Sequence, residues 1–192
     1  MQALTNSYGG KSTSWARSPH SITSKNRARA ENAVANSSKA NRLKTKLKQF
    51  DNSSNLLSET QKQCYMQIVG SLQYVATVTR PNISFAASAL ARFMANPTNH
   101  LLKCAERVLK YLAGTKSHKL TYTKSRNLTM TGYSDADWAN CETTRRSTSG
   151  IIVYFNESPI YWRSRRQKIV TMSSTEAEFV ALTELSLQVI WL

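Results

Sequence analysis

Cysteine is scarce and scattered: Cys64, Cys104 and Cys141 stand alone along 192 residues, and no CxxC pair occurs. That count and spacing exclude a disulfide framework and a cysteine-rich zinc module. No segment reaches the run of about 18 apolar residues that a membrane span needs. The first ten residues, Met1 to Gly10, lack the apolar core of a secretory signal. Hydrophobic residues make up 41%, enough for a core but not one that uses the whole chain. The expectation is an intracellular, reduced, soluble protein of one domain or two small ones.

Acidic residues are also few. Asp+Glu 11 stand against Lys+Arg 26, a formal net charge of +15. Such an excess suggests a polyanion partner, because each neutralised phosphate releases condensed counterions. The plain alternative is a solvated surface with a basic tail. The first 60 residues hold 10 Lys/Arg and 3 Asp/Glu, hence 10 − 3 = +7, and the rest hold 16 − 8 = +8. The excess is therefore shared between the tail and the remainder of the chain.

Residues 1–57 are rich in Ser, Asn, Lys and Arg and show no sustained hydrophobic period. Such a stretch cannot bury enough surface to offset its ordering entropy, so it is expected to be a disordered basic tail, with at most a transient helix around Ala28–Lys48. Its lack of acids before Glu31 is transit-peptide-like, pointing to mitochondria. Its run Arg42-Leu43-Lys44-Thr45-Lys46-Leu47-Lys48 equally suits a nuclear or nucleic-acid-binding segment. A solvated linker in a nuclear or cytoplasmic protein is the plain reading.

Order is expected from Ser58, where Ser58-Glu59-Thr60-Gln61 has capping-box spacing. Tyr65, Ile68, Val69, Leu72, Val75 and Ala76 repeat at helical intervals until Thr79-Arg80-Pro81. A second helix follows Asn82, with Ile83, Ala86, Ala87, Leu90 and Phe93 inward. A third runs from about Thr98 with Gly114 just past its end. These three form a helical segment over 58–118. The period then changes. Lys119–Thr123, Leu128–Asp135, Gly150–Phe155 and Ile160–Ser164 alternate like strands, the last two joined by a turn at Asn156-Glu157-Ser158-Pro159. Ile169–Met172 is a further short apolar stretch. Ser173-Ser174-Thr175-Glu176 then opens a helix expected to turn Phe179, Leu182, Leu185 and Val189 inward. The chain stops inside that helix, which reads as a fragment.

With so few acids, those on ordered elements are informative. Asp135 and Asp137, at i and i+2 near a strand end, share a face. Glu178 lies on the first turn of the last helix, beside Glu176. A strand-end aspartate facing a helix-start glutamate can hold Mg²⁺, which takes few carboxylates plus water and substrate phosphates. Two such ions activate water in phosphodiester cleavage. The alternative is that Asp135 serves a turn and the glutamates complement the helix dipole. Arg145-Arg146-Ser147-Thr148-Ser149-Gly150 is a basic, hydroxyl-rich loop suited to phosphate oxygens, or simply a hairpin loop. Other patterns fail. Gly10-Lys11-Ser12 would need a glycine where Thr5 stands to be a P-loop. His20, His100 and His118 lack metal-ligand spacing.

Several motifs resemble the ribonuclease H region of copia-type retrotransposon Pol polyproteins. They are Gly132-Tyr133-Ser134-Asp135-Ala136-Asp137-Trp138-Ala139, Thr144-Arg145-Arg146-Ser147-Thr148-Ser149-Gly150, Pro159-Ile160-Tyr161-Trp162-Arg163-Ser164 and Ser173-Ser174-Thr175-Glu176-Ala177-Glu178-Phe179. Val69-Gly70-Ser71-Leu72, Thr79-Arg80-Pro81-Asn82-Ile83 and Arg107–Thr115 look like the segment linking polymerase to that domain. The resemblance covers roughly residues 58–192.

The resemblance implies an α/β fold: a truncated ribonuclease H-like domain over 119–192, three antiparallel strands then a helix, preceded by the linking segment at 58–118. It implies Mg²⁺-dependent hydrolysis of the RNA strand of an RNA–DNA hybrid. Asp135 and Glu178 match the family's catalytic metal ligands, with Asp137 a lesser candidate. Arg145, Arg146 and Ser147 match a backbone-binding loop, and the 2′-hydroxyls would mark the RNA strand. The family uses four acids, of which two lie beyond this sequence. No YxDD polymerase motif is present. The expectation is a retroelement fragment, inactive alone and marginally stable, whose missing half another chain would have to supply. A non-catalytic nucleic-acid-binding module and a functionless relic are the competing readings.

Overall fold

In the computed structural model the described residues are 2–7, 56–122, 124, 129–141 and 143–192. The expected helix at 28–48, the basic run at 42–48 and Gly10-Lys11-Ser12 lie outside them. The described residues fall in one compact unit.

The helical part follows the caps written in the sequence. Helix α1 (Glu59–Val78) begins with a capping box: Ser58 accepts the Gln61 N–H, and Gln61 accepts the Ser58 N–H at 3.1 Å. Its buried face is Tyr65, Val69, Leu72 and Ala76. Pro81 stops it and opens a 3-10 turn, Pro81–Ile83, leading into α2 (Ser84–Ala91). The buried alanines of α2, Ala86, Ala87 and Ala89, allow close approach, and the Tyr65 hydroxyl donates to Leu90 O at 2.8 Å. Thr98 caps α3 (Asn99–Gly114). Gly114 is the last residue of α3, Thr115 is its C-cap, and no described glycine has positive φ, so Gly114 is not the left-handed terminator its position suggests. Arg80, 8% exposed, donates to Thr115 O at 2.9 Å, to His118 O at 2.7 Å and to the Thr115 hydroxyl. One guanidinium thereby satisfies carbonyls left over where α3 ends.

The sheet is antiparallel throughout, in the order β1 (Gln2–Ser7), β2 (Thr129–Asp137), β3 (Thr148–Phe155), β4 (Ser158–Arg166). Asn156 and Glu157, at φ 46 and φ 64, make the two-residue hairpin between β3 and β4, whose twist requires positive φ at both positions. Two expectations are corrected. Gln2–Ser7, read as part of a disordered tail, pairs with β2 from Gln2↔Ser134 to Ser7↔Thr129. Residues 119–122 form no strand, and Thr123 lies outside the described residues. That segment instead meets the start of β4 by single bonds, Tyr122 Oη to Pro159 O at 3.0 Å and Ser158 Oγ to Thr121 O at 3.3 Å. Pro159 has no N–H to offer a further strand.

Alternation along the strands gives the sheet two different faces. One carries Met130, Gly132, Ile151, Val153 and Tyr161 and is covered by α4 (Ser174–Trp191), which contributes Leu182, Leu185 and Val189. Gly132 is required there: a Cβ at that position would lie 2.9 Å from Leu185 Cδ1. Helix α4 packs through Ala177, Ala181 and Leu185, and Phe179 is 63% exposed, which corrects its inward assignment. Ile169, Val170 and Met172 are likewise exposed. The other face carries Tyr133, Ile152 and Trp162. There the Trp162 indole donates to Ala76 O at 2.6 Å, anchoring α1 to the sheet. Helices therefore lie on both sides of the strands, a mixed α/β arrangement.

Candidate functional site

The acids meet at the C-terminal end of β2. Ser173 starts α4 by accepting the Glu176 N–H at 3.1 Å, and Glu176 reaches back to accept the Met172 N–H at 2.6 Å. Glu176 is thus spent on the helix entry. Glu178 points toward the sheet, and its Oε1 accepts the Ala136 N–H at 3.2 Å. That bond seats the helix carboxylate against the residue after Asp135. Strand alternation turns Asp135 and Asp137 to the face opposite α4, and Asp135 is exposed. The pairing with β1 ends at Ser134, so β1 does not cover the edge of β2 at Asp135–Asp137. Asp135 and Glu178 therefore flank one open strand end from its two sides. Asp137 is held in place, its Oδ2 accepting from Asn140 Nδ2 at 3.0 Å, while Asn140 Oδ1 accepts the Thr148 hydroxyl at 2.9 Å.

Asp135 and Glu178 both offer hard carboxylate oxygens of the kind Mg²⁺ takes, but they approach β2 from opposite faces and do not face each other as the spacing suggests. Among the described residues no group of three or more His, Cys, Asp or Glu side chains could hold a metal ion.

The loop between β2 and β3 presents its arginines unequally. Arg145 is exposed, at φ 52. Its N–H donates to Cys141 O at 2.7 Å, and the Cys141 N–H donates to Arg146 O at 3.3 Å. Arg146 is half-buried, and its Nε is buried without a partner. Ser147 is 0% exposed. Its hydroxyl accepts the Ala139 N–H at 3.0 Å and is bonded to the Thr171 hydroxyl at 2.9 Å. Ser147 therefore ties the loop to the entry of α4 and is not placed to touch a ligand, a correction to its assignment as a backbone-binding residue. Gln167, 1% exposed, performs a similar task, donating to Ser149 Oγ and Ala177 O, both at 2.9 Å.

Sequence patterns missed one cluster. Cys141 Sγ lies 3.5 Å from Thr143 Oγ1 and 3.6 Å from Arg166 Nη1, and its charge is felt by the Arg92 guanidinium. Burial pushes the thiol up, but hydrogen bonds from Thr143, Thr144 and Arg166 outweigh it and bring its pKa down to about 6. Cys141 is therefore largely a thiolate at neutral pH. Nothing in the spacing announces it, because Arg92, Cys141 and Arg166 come from three separate elements.

Comparison with known proteins matches two thirds of the chain. It is 46% identical over 128 residues to the "Retrovirus-related Pol polyprotein from transposon RE1" of Arabidopsis thaliana, covering 67% of this chain and 9% of that one. To the "Retrovirus-related Pol polyprotein from transposon TNT 1-94" of Nicotiana tabacum it is 38% identical over 128 residues, 67% of this chain and 10% of that one. To the "Secreted RxLR effector protein 161" of Plasmopara viticola it is 39% identical over 128 residues, 67% of this chain and 90% of that one. The chain thus spans about a tenth of the length of the two polyproteins. No protein-family model matches, and no solved structure matches. By these similarities the chain belongs to the copia-type retrotransposon Pol polyprotein family and corresponds to one segment of such a polyprotein.

Proposed function

We propose that this segment carries the first half of a ribonuclease H-type site, one that in a longer polyprotein hydrolyses the RNA strand of an RNA–DNA hybrid, and that the segment alone does not cleave. The observation that carries the reading is the bond from Ala136 N–H to Glu178 Oε1, which brings the helix acid to the strand end bearing Asp135. Asp135 and Glu178 are the residues that would hold Mg²⁺, and the ion would supply an activated water and charge stabilisation on the leaving oxygen. In the hydrolysis the water oxygen bonds to phosphorus as the bond from phosphorus to the ribose 3′ oxygen breaks. The contribution of this chain is to fix both carboxylates on rigid elements and to present Arg145, with Arg146 behind it, to the strand backbone. Asp137, already engaged by Asn140, orients the turn and is secondary as a ligand. Two carboxylates leave the ions short of protein ligands, which is the physical ground for inactivity alone.

The test is cleavage of an end-labelled RNA–DNA hybrid with Mg²⁺. The segment alone is expected to be silent. A chimera supplying the following stretch of a related polyprotein is expected to cleave, and Asp135→Asn or Glu178→Gln should each abolish the activity. A folded chimera that stays silent, or one that still cleaves with Glu178→Gln, would overturn the assignment. Hybrid binding without cleavage in that chimera would favour a non-catalytic nucleic-acid-binding module, a reading that the surplus of basic residues supports.

A further inference from the structure

The ends of α1 and α3 leave a cavity of about 670 Å³ beside the segment that follows α3. Its walls are apolar: Val75 and Val78 from α1, Leu112 from α3, and Leu120 and Tyr122 from the following segment. The lining also carries Lys116, His118 and Lys119, all exposed, and among the described residues no carboxylate joins them. A space of this size falls in the range of small-molecule sites. The fold leaves part of the apolar wall in water, with Val78 at 47% and Tyr122 at 61% exposure.

The segment beside the cavity is tied down at two places. Arg80, which also lines the cavity, donates to Thr115 O at 2.9 Å and to His118 O at 2.7 Å. The Tyr122 hydroxyl donates to Pro159 O at 3.0 Å, which fixes one edge of its ring. From Lys116 to Lys124 the sequence holds three lysines, a histidine and a tyrosine, and no acid. A small carboxylate needs only one of these cations. Cations strung along a segment, with an aromatic ring among them, suit a single strand of nucleic acid: the phosphates follow the cations and a base stacks on the ring. A duplex keeps its bases stacked and cannot fill an apolar cavity without extruding one.

We propose that this cavity binds unpaired single-stranded nucleic acid, with one base entering against Tyr122 and the flanking phosphates held by Lys116 and Lys119. The walls offer few hydrogen-bonding groups, so the site tolerates any base. The inference rests on the nucleic-acid reading above and adds a contact separate from the acids. In the ladders Asp135 is level with Ser164, whereas Tyr122 meets Pro159. Along β4 those two levels are roughly 16 Å apart, so the cavity lies toward the other end of the sheet.

The experiment measures binding of a labelled oligothymidylate by fluorescence anisotropy, from about 50 to about 200 mM salt. Tyr122→Ala should weaken binding roughly 5- to 150-fold, the range of one base–aromatic stack, and leave the salt slope unchanged. Tyr122→Phe keeps the ring and should bind close to wild type. Lys116→Ala/Lys119→Ala removes two phosphate contacts and should make the slope of log K against log salt shallower by about 1.4. Lys103→Ala/Lys110→Ala, on the exposed side of α3, removes equal charge elsewhere and should change the slope less. All five side chains are exposed, so these substitutions spare the fold. Loss of binding in Tyr122→Ala but not in Tyr122→Phe supports the site, whether or not the chimera cleaves. A wild-type chain that ignores the oligonucleotide, or binding that Tyr122→Ala leaves intact, overturns the site, and cleavage by the chimera then leaves the proposed function standing. Anilinonaphthalene sulfonate that loses its fluorescence on Val78→Glu, yet is not displaced by saturating oligonucleotide, would assign the cavity to an amphiphilic anion and also overturn the proposal.

Discussion

Trp162 gives the most direct test of whether helices and sheet unfold together. Val75 O accepts N–H groups from both Thr79, at 3.0 Å, and Arg80, at 2.9 Å, so the Ala76 carbonyl in the last turn of α1 is left to the Trp162 indole at 2.6 Å. Trp162→Phe keeps most of the ring and removes that donor, which should cost about 1 kcal/mol. Trp162→Ala also removes the packing between layers. Because the side chain is half-buried, the cost belongs at the low end of the range for a buried tryptophan, about 3 kcal/mol. With a urea m-value of about 2 kcal/mol/M, the midpoint should fall by roughly 0.5 M for Phe and about 1.5 M for Ala. Hydrogen exchange supplies the local readout. Amides of Val69–Leu72 in α1 and of Ile151–Val153 in β3 should lose protection together, in one urea transition. If β3 is weakened while α1 keeps its wild-type midpoint, the two parts are separate folding units and the reasoning fails.

Gly132→Ala should destabilise by about 1–3 kcal/mol through its contact with Leu185, and in a double-mutant cycle Leu185→Val should recover part of the loss; additive effects by chemical denaturation would contradict the contact. Cys141 should be alkylated by iodoacetamide at a rate that rises with pH around a midpoint near 6, and Arg166→Ala should move that midpoint upward; peptide mass spectrometry reads both. Because this pKa is lowered in the folded state from 9.0 to about 6, the thiolate's stabilisation is fully present above the unfolded value and lost as pH falls through 6. Cys141→Ser should flatten that part of the stability profile. Ser173→Ala removes the cap of α4 and should cost about 1 kcal/mol by thermal or urea unfolding.

Caps and breakers were the most legible features. Ser58, Thr98, Ser173 and Pro81 each act through their own local backbone, so a sequence window contains their whole mechanism. The Asn156-Glu157 hairpin was readable for the same reason. The faces of α4 were not. Apolar and polar side chains are mixed around that helix, so its period does not single out a side, and large residues such as Phe179 draw attention from Ala177 and Ala181. The small side chains are the ones that let a helix lie close to a sheet. Lys119–Tyr122 alternates like a strand, but whether it pairs depends on the neighbour it meets. Of the site, Asp135 and Glu178 were named by motif, and only tertiary packing brings them to one strand end. The burial of Ser147 and the meeting of Cys141 and Arg166 depend on contacts between elements far apart in the sequence, and no local pattern encodes those.

The pairing of β1 with β2 has a consequence for synthesis. Gln2 finds its partner at Ser134, so β1, once it leaves the ribosome, must wait for about 130 more residues. At about 5–20 residues per second that interval is roughly 7–26 s. During it α1, α2 and α3 can form and pack from local contacts alone, whereas β1 has no ladder to join. The ladder between β1 and β2 can then form as soon as β2 emerges, before β3 and β4 are made. Until then β1 shows an unpaired backbone to whatever strand arrives first, and a neighbouring nascent chain on the same messenger would carry an identical copy of β2.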